Sequence, residues 1–173
     1  MAARGESIVL IGFMGAGKSS IGRTLARRTG LPRFDTDEII SARFGLSVSE
    51  IFGRFGEKKF RNAETETLEQ LGDAGPAIIV TGGGIVLRRE NVKMLRALGK
   101  VVSLEADEET LFRRISRRVT RPLLETKDPR GTMAELWRVR QPLYRDAADV
   151  RVDTSRLKHE EVTDAILRKI GNL

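Results

Sequence analysis

Short apolar runs rich in β-branched residues alternate along the chain with longer stretches whose apolar positions recur at helical spacing. Ser7 to Ile11 (SIVLI), Arg33 to Asp35, Ala77 to Thr81 (AIIVT), Val101 to Leu104 (VVSL) and Val150 to Val152 read as five strands. Runs that stay apolar without alternating predict strands buried on both faces, as in a parallel sheet covered by helices. The expected class is α/β, with three layers.

Helix punctuation fits this frame. The first helix starts near Gly17 and stops at Gly30, with Pro32 just beyond. Ser47-Val48-Ser49-Glu50 is a capping box that opens a short helix, VSEIF. A long polar helix is expected from about Glu57 to Leu71, anchored by Phe60, Leu68 and Leu71. Arg88 to Leu98, Asp107 to Arg118, Met133 to Tyr144 and Glu160 to Ile170 read as further helices. Ser116 to Thr132 is basic, contains proline and has poor periodicity, so it reads as a mobile loop. No repeat or linker divides the 173 residues, and one domain is expected.

Composition narrows the partners. Hydrophobic residues make up 40% of the chain, enough for one core. Cysteine is absent, which excludes disulfides and thiolate metal sites. The formal charge of +7 suits anionic partners, either small phosphorylated or carboxylated molecules or nucleic acid. Aromatic residues are only 5%, a poor supply of stacking platforms for single strands. No apolar run is long enough for a bilayer span, and the start lacks the features of a signal peptide, so a cytoplasmic protein is expected.

The most specific local signal is Gly12-Phe13-Met14-Gly15-Ala16-Gly17-Lys18-Ser19, a GxxxxGKS run between the first strand and the first helix. Such glycines turn backbone N–H groups inward around phosphate oxygens, and the helix N-terminus adds partial positive charge. Lys18 reaches the β- and γ-phosphates, and the Ser19 hydroxyl can ligate Mg²⁺. The motif implies a nucleoside triphosphate without choosing a reaction.

The acceptor must be read elsewhere. Asp35-Thr36-Asp37 follows the second strand, at the edge where such sheets bind ligands. One carboxylate suits Mg²⁺ and the other a hydroxyl proton. Alternatively, Thr36 and Asp37 serve as helix caps. Further along stand Gly56-Glu57-Lys58-Lys59-Phe60-Arg61, Gly82-Gly83-Gly84, Arg121-Pro122-Leu123-Leu124, Arg140-Gln141-Pro142-Leu143-Tyr144 and Val152-Asp153-Thr154-Ser155. This ordered set resembles the shikimate kinase family, from Ser7 to about Ile170.

The resemblance implies a P-loop fold like that of nucleoside monophosphate kinases, with sheet order 2-3-1-4-5 and a mobile lid at about 116–130. It also implies a substrate-binding helical segment at about 36–62. The implied reaction is transfer from MgATP to the 3-hydroxyl of shikimate, on the route to chorismate and the aromatic amino acids. Asp37, Arg61, Gly82, Gly83, Gly84 and Arg140 are the implied shikimate contacts. Asp37 is then the proton acceptor, and Arg61 and Arg140 hold the carboxylate. Gly12, Gly15, Ala16, Gly17, Lys18, Ser19 and Ser20 form the implied ATP cradle. Ser19 and Asp35 place Mg²⁺. Arg121, on the lid, stabilises the transferring group together with Lys18. The segment from Thr154 to Arg156 edges the adenine, and either Arg113 or Arg114 stacks on it. Glu57 and Glu64 orient Arg61, or are ordinary helix-surface charge pairs. Trp137 and Tyr144 read as packing residues, and His159 as exposed and inert. A monomer without nucleic-acid or membrane partners is expected. The competing readings are a related small-molecule kinase such as a gluconokinase, a non-catalytic nucleotide-binding module, and a nucleic-acid binder.

Overall fold

The computed structural model describes residues 6–117 and 126–171. β1 (Ser7–Gly12) leads through a glycine loop into α1 (Lys18–Thr29). β2 (Arg33–Asp35) runs directly into α2 (Thr36–Phe44), and α3 (Val48–Leu71) follows. β3 (Ile78–Val80) is followed by a 3₁₀ turn, Ile85–Leu87, and by α4 (Arg89–Leu98). β4 (Gly99–Glu105), α5 (Glu108–Ser116), α6 (Pro129–Ala147), β5 (Val150–Asp153) and α7 (His159–Gly171) complete the described chain.

Among the described residues, five parallel strands form one sheet in the order β2-β3-β1-β4-β5. β1 lies at the centre, with Ile8, Val9, Leu10 and Ile11 at most 1% exposed. Side chains that alternate between two covered faces must be apolar on both, which is why SIVLI shows no polar alternation. The order reverses beside β1, between β3 and β4. The carboxyl end of β1 is therefore the crevice where a ligand enters such a sheet.

A second apolar cluster lies apart from the main one. Ile40, Ile51, Phe60 and Ala63 are buried together, with Phe44, Leu46, Val48 and Phe52 packed around them. They belong to α2, α3 and the turn between, so this helix pair has its own small core.

Three expectations change. The predicted VSEIF helix and the helix from Glu57 are the two arms of α3, which meet at a break at Gly56 (φ 80°, ψ 167°). A backbone with that φ is open to glycine at little cost. The helix predicted from Met133 begins at Pro129, inside the stretch read as a loop. The Asp128 carboxylate accepts from Gly131 N at 2.9 Å, and proline suits the first helical position. The cap of α2 is Asp35 rather than Thr36 or Asp37. Its Oδ1 accepts from Asp37 N at 3.1 Å and from Glu38 N at 3.4 Å. No helix among the described residues is long and apolar enough to cross a membrane.

Candidate active site

The loop after β1 is shaped for an anion. Gly12, Gly15 and Gly17 have φ of 144°, 80° and 99°. Gly17 caps α1 without any side-chain hydrogen bond, and the first turn of α1 carries no acid. The leading N–H groups of a twelve-residue helix thus keep their positive end for a ligand. Lys18 Nζ donates to Gly12 O at 2.7 Å and Phe13 O at 3.0 Å, which holds the ammonium over the loop. These features fit a polyphosphate.

The far side of the loop is tied to the end of β5. Arg114 donates to Thr154 Oγ1 at 2.9 Å, Thr154 O at 2.7 Å and Gly15 O at 3.3 Å. Thr154 Oγ1 faces Ala16 O at 3.2 Å. Burial, then the neighbouring Arg113, pushes the Arg114 guanidinium below its ordinary value. Arg114, Arg117, Thr154 and Ser20 line a hollow of about 320 Å³ beside the cradle. Of the two arginines left open by the sequence, Arg114 is the one on this wall. Arg156 is exposed and is not part of it.

Asp35 does two things at once. Oδ1 caps α2, while Oδ2 lies 3.5 Å from Ser19 Oγ and 3.4 Å from Arg33 Nη1. Burial, then the Glu38 charge, raises its carboxyl above the usual range, against the pull of two backbone N–H groups and Arg33. Among the described residues no group of three or more His, Cys, Asp or Glu could hold a metal. Ser19 and Asp35 still fit a small hard cation that takes its other ligands from phosphate and water.

The opposite side of the crevice is organised around Gly82, Gly83 and Gly84, which follow β3. Gly82 N donates to Thr36 Oγ1 at 3.2 Å, which locks the glycines to the start of α2. A Cβ on Gly82 would press on Asp37 Oδ1 and lie 3.1 Å from Glu64 Oε1. A Cβ on Gly84 would collide with the Arg61 guanidinium. Gly83 O accepts from the Tyr144 hydroxyl. Positions 82 and 84 suit glycine because Asp37 and Glu64 at the first, and Arg61 at the second, already take the space of a Cβ.

Arg61 is 8% exposed and its guanidinium carbon lies 5.7 Å and 5.6 Å from the ring centres of Phe52 and Phe60. Its Nη1 donates to Glu64 Oε2 at 2.7 Å. Its Nε and Nη2 both reach Glu57 Oε1, at 3.2 Å each. Burial pushes Glu64 up to about 7, although the Arg61 charge and hydrogen bond pull it down. Arg140, also buried, is close enough to act on the ionisation of both Glu64 and Tyr144. Burial takes the Tyr144 phenol up to about 12, against the opposing Arg140 charge. Tyr144 was expected only to pack. Its ring does pack, and its hydroxyl also fixes the glycine run.

One cleft of about 270 Å³ joins the two halves. Lys18, Ser19 and Asp35 line it from the phosphate side, and Asp37, Gly82 and Gly83 from the other. Of the other predicted residues, Gly15 and Gly17 also line this cleft, Ala16 and Ser20 line the hollow beside it, and Gly12, Arg61, Gly84 and Arg140 line neither. Arg121 and Arg118 lie outside the described residues. His159 is exposed, at the start of α7, and borders the hollow beside the cradle. Thr154, placed at the adenine edge by resemblance, also braces the loop through its hydroxyl. The only hint in the sequence was its place just after a strand. A hollow of about 410 Å³ near Leu68, Pro76 and Met94 adjoins Ser7, at the other end of β1, and no arginine or lysine lines it.

Comparison with known proteins gives a consistent result. A family model described as shikimate kinase matches residues 14–171. A shikimate kinase of Thermodesulfovibrio yellowstonii is 41% identical over 97% of this chain and 96% of that protein. One from Thioalkalivibrio sulfidiphilus is 45% identical over 94% of this chain and 86% of that protein. Among solved structures, shikimate kinase from Acinetobacter baumannii in complex with shikimate superposes with a TM-score of 0.92. It is 34% identical, over 96% of this chain and 93% of that one.

Proposed function

The chain belongs to the shikimate kinase family and has shikimate kinase activity, and on that premise we propose how its residues divide the reaction. The family uses ATP. The reading is transfer of the γ-phosphoryl group of ATP to the 3-hydroxyl of shikimate. One observation carries it: the cleft has a phosphate cradle on one wall and Asp37 with the Gly82–Gly83 backbone on the other.

The uncapped start of α1 and the loop glycines hold the triphosphate. Lys18 neutralises charge on the transferring group. Ser19 and Asp35 would hold Mg²⁺, which would supply further charge neutralisation at the phosphates. Arg61 and Arg140 grip the shikimate carboxylate, a task suited to two guanidinium forks in a buried place. Asp37 turns the hydroxyl toward phosphorus and takes its proton. As the new O–P bond forms, the bond from phosphorus to the leaving oxygen of ADP breaks. Arg114 and Thr154 flank the nucleoside side, and Arg121 is assigned to the transferring phosphoryl group from its sequence motif.

The test is a coupled ADP-release assay with shikimate as the only acceptor and gluconate alongside. Turnover that depends on shikimate alone is expected. Equal turnover with gluconate would overturn the acceptor assignment.

A further inference from the structure

Arg61 offers its substrate edge to a residue of its own helix. Nη1 is committed to Glu64, a side chain with no exposed surface, at 2.7 Å. Gly84 presses against the guanidinium, with Phe52 and Phe60 at about ring-contact distance. The remaining edge, Nε and Nη2, is the side-on fork that a carboxylate takes with two oxygens. Glu57 occupies that edge with one oxygen, Oε1, at 3.2 Å from both nitrogens. A ligand carboxylate using both its oxygens forms shorter charged hydrogen bonds there, of about 2.7–2.9 Å.

The two glutamates also differ in what release entails. Glu57 is 61% exposed, so its carboxylate can return to water with little loss. Glu64 cannot leave without breaking a buried pair. Glu57 also directly follows Gly56, where the two arms of α3 meet outside helical geometry.

We propose that Glu57 is a placeholder for the substrate carboxylate, competing for the Nε/Nη2 edge of Arg61 and turning out to solvent when shikimate binds. This replaces the expectation that Glu57 orients Arg61 for the ligand; that task falls to Glu64 and Gly84. It rests on the assignment of Arg61 to the shikimate carboxylate. The competition lowers apparent affinity for shikimate without touching the transfer step or the nucleotide.

Glu57→Gln and Glu57→Asp test this, with KM and kcat measured for both substrates and shikimate binding measured by calorimetry without ATP. The amide is a weaker competitor and the shorter acid does not reach. Both variants should lower the shikimate KM and Kd about three- to tenfold, with kcat and the ATP KM within twofold of wild type. A rise in shikimate KM for both variants would show that Glu57 aids the grip and would overturn the proposal alone. Arg61→Lys is the control. A shikimate KM unchanged in that variant would remove the carboxylate assignment and the placeholder with it. Melting curves establish that each variant is folded.

Discussion

Arg61 Nη1 and Glu64 Oε2 lie 2.7 Å apart at a position where the glutamate has no exposed surface. The pair is fixed from three sides: α3 carries both partners, Gly84 backs the guanidinium, and Gly82 stands beside the other glutamate oxygen. Two carboxylates, Asp37 and Glu64, thus approach one glycine, and the closeness of Asp37 adds to the burial that favours a proton on Glu64.

A pH dependence follows. The Glu64 carboxyl has an ordinary value of 4.5 and is raised to about 7 in the folded chain. The folded state binds this proton more tightly than the unfolded state. Its contribution to stability is therefore full below about pH 4.5 and is lost as pH rises through about 7. At about 1.4 kcal/mol per pH unit, the rise from 4.5 to about 7 makes the total roughly 3–4 kcal/mol. Urea unfolding from pH 5 to 8 should show wild type losing stability relative to Glu64→Gln. A constant difference between the two would contradict the raised value.

Lys18→Ala should abolish turnover while the chain still folds, because alanine keeps α1 helical and the Lys18 side chain is not part of the apolar core. Activity within a few-fold of wild type would remove Lys18 from the transfer step.

Arg140→Ala should weaken shikimate far more than ATP. Each charged hydrogen bond lost is worth roughly 1.5–3 kcal/mol, about tenfold or more in affinity. Equal losses for the two ligands would contradict the carboxylate grip. Separate titrations of each ligand decide it.

Gly84→Ala should act on Arg61 at a distance of one methyl group. The new Cβ would meet the guanidinium, whose Nη1 is already held by the buried Glu64. Shikimate KM should rise at least tenfold while ATP KM stays within twofold, as steady-state kinetics will read. An unchanged shikimate KM would mean that Arg61 can bind from another position.

Asp35→Asn should separate the two jobs of that side chain. The amide oxygen can still cap α2, so the stability loss should be under about 1 kcal/mol. The Mg²⁺ concentration needed for half-maximal rate should rise severalfold. Thermal melts and Mg²⁺ titrations measure the two effects independently. A large loss of stability with unchanged Mg²⁺ demand would reassign Asp35 to the cap alone.

The parallel sheet was legible because buried strands such as SIVLI and AIIVT leave a continuous apolar trace. The phosphate cradle was legible because its spacing, its lysine and its place after a strand agree. Asp35 as the cap of α2 was not, since Asp35, Thr36 and Asp37 all suit that position and only the backbone angle selects one. The start of α6 was hidden by Pro129, which reads as a loop signal and also fits a first helical turn. The difference between Glu57 and Glu64 was hidden too. Both lie at helical spacing from Arg61, and only packing sets one in the interior and the other at the surface.

Ile40, Ile51, Phe60 and Ala63 stand apart from the sheet's own packing. Evolution can therefore recut the shape of the acceptor seat, side chain by side chain, while the strand scaffold and its grip on triphosphate go on unaltered. Enzyme engineers seeking a new ring or sugar alcohol have the same freedom, provided their changes stay within that outlying nucleus.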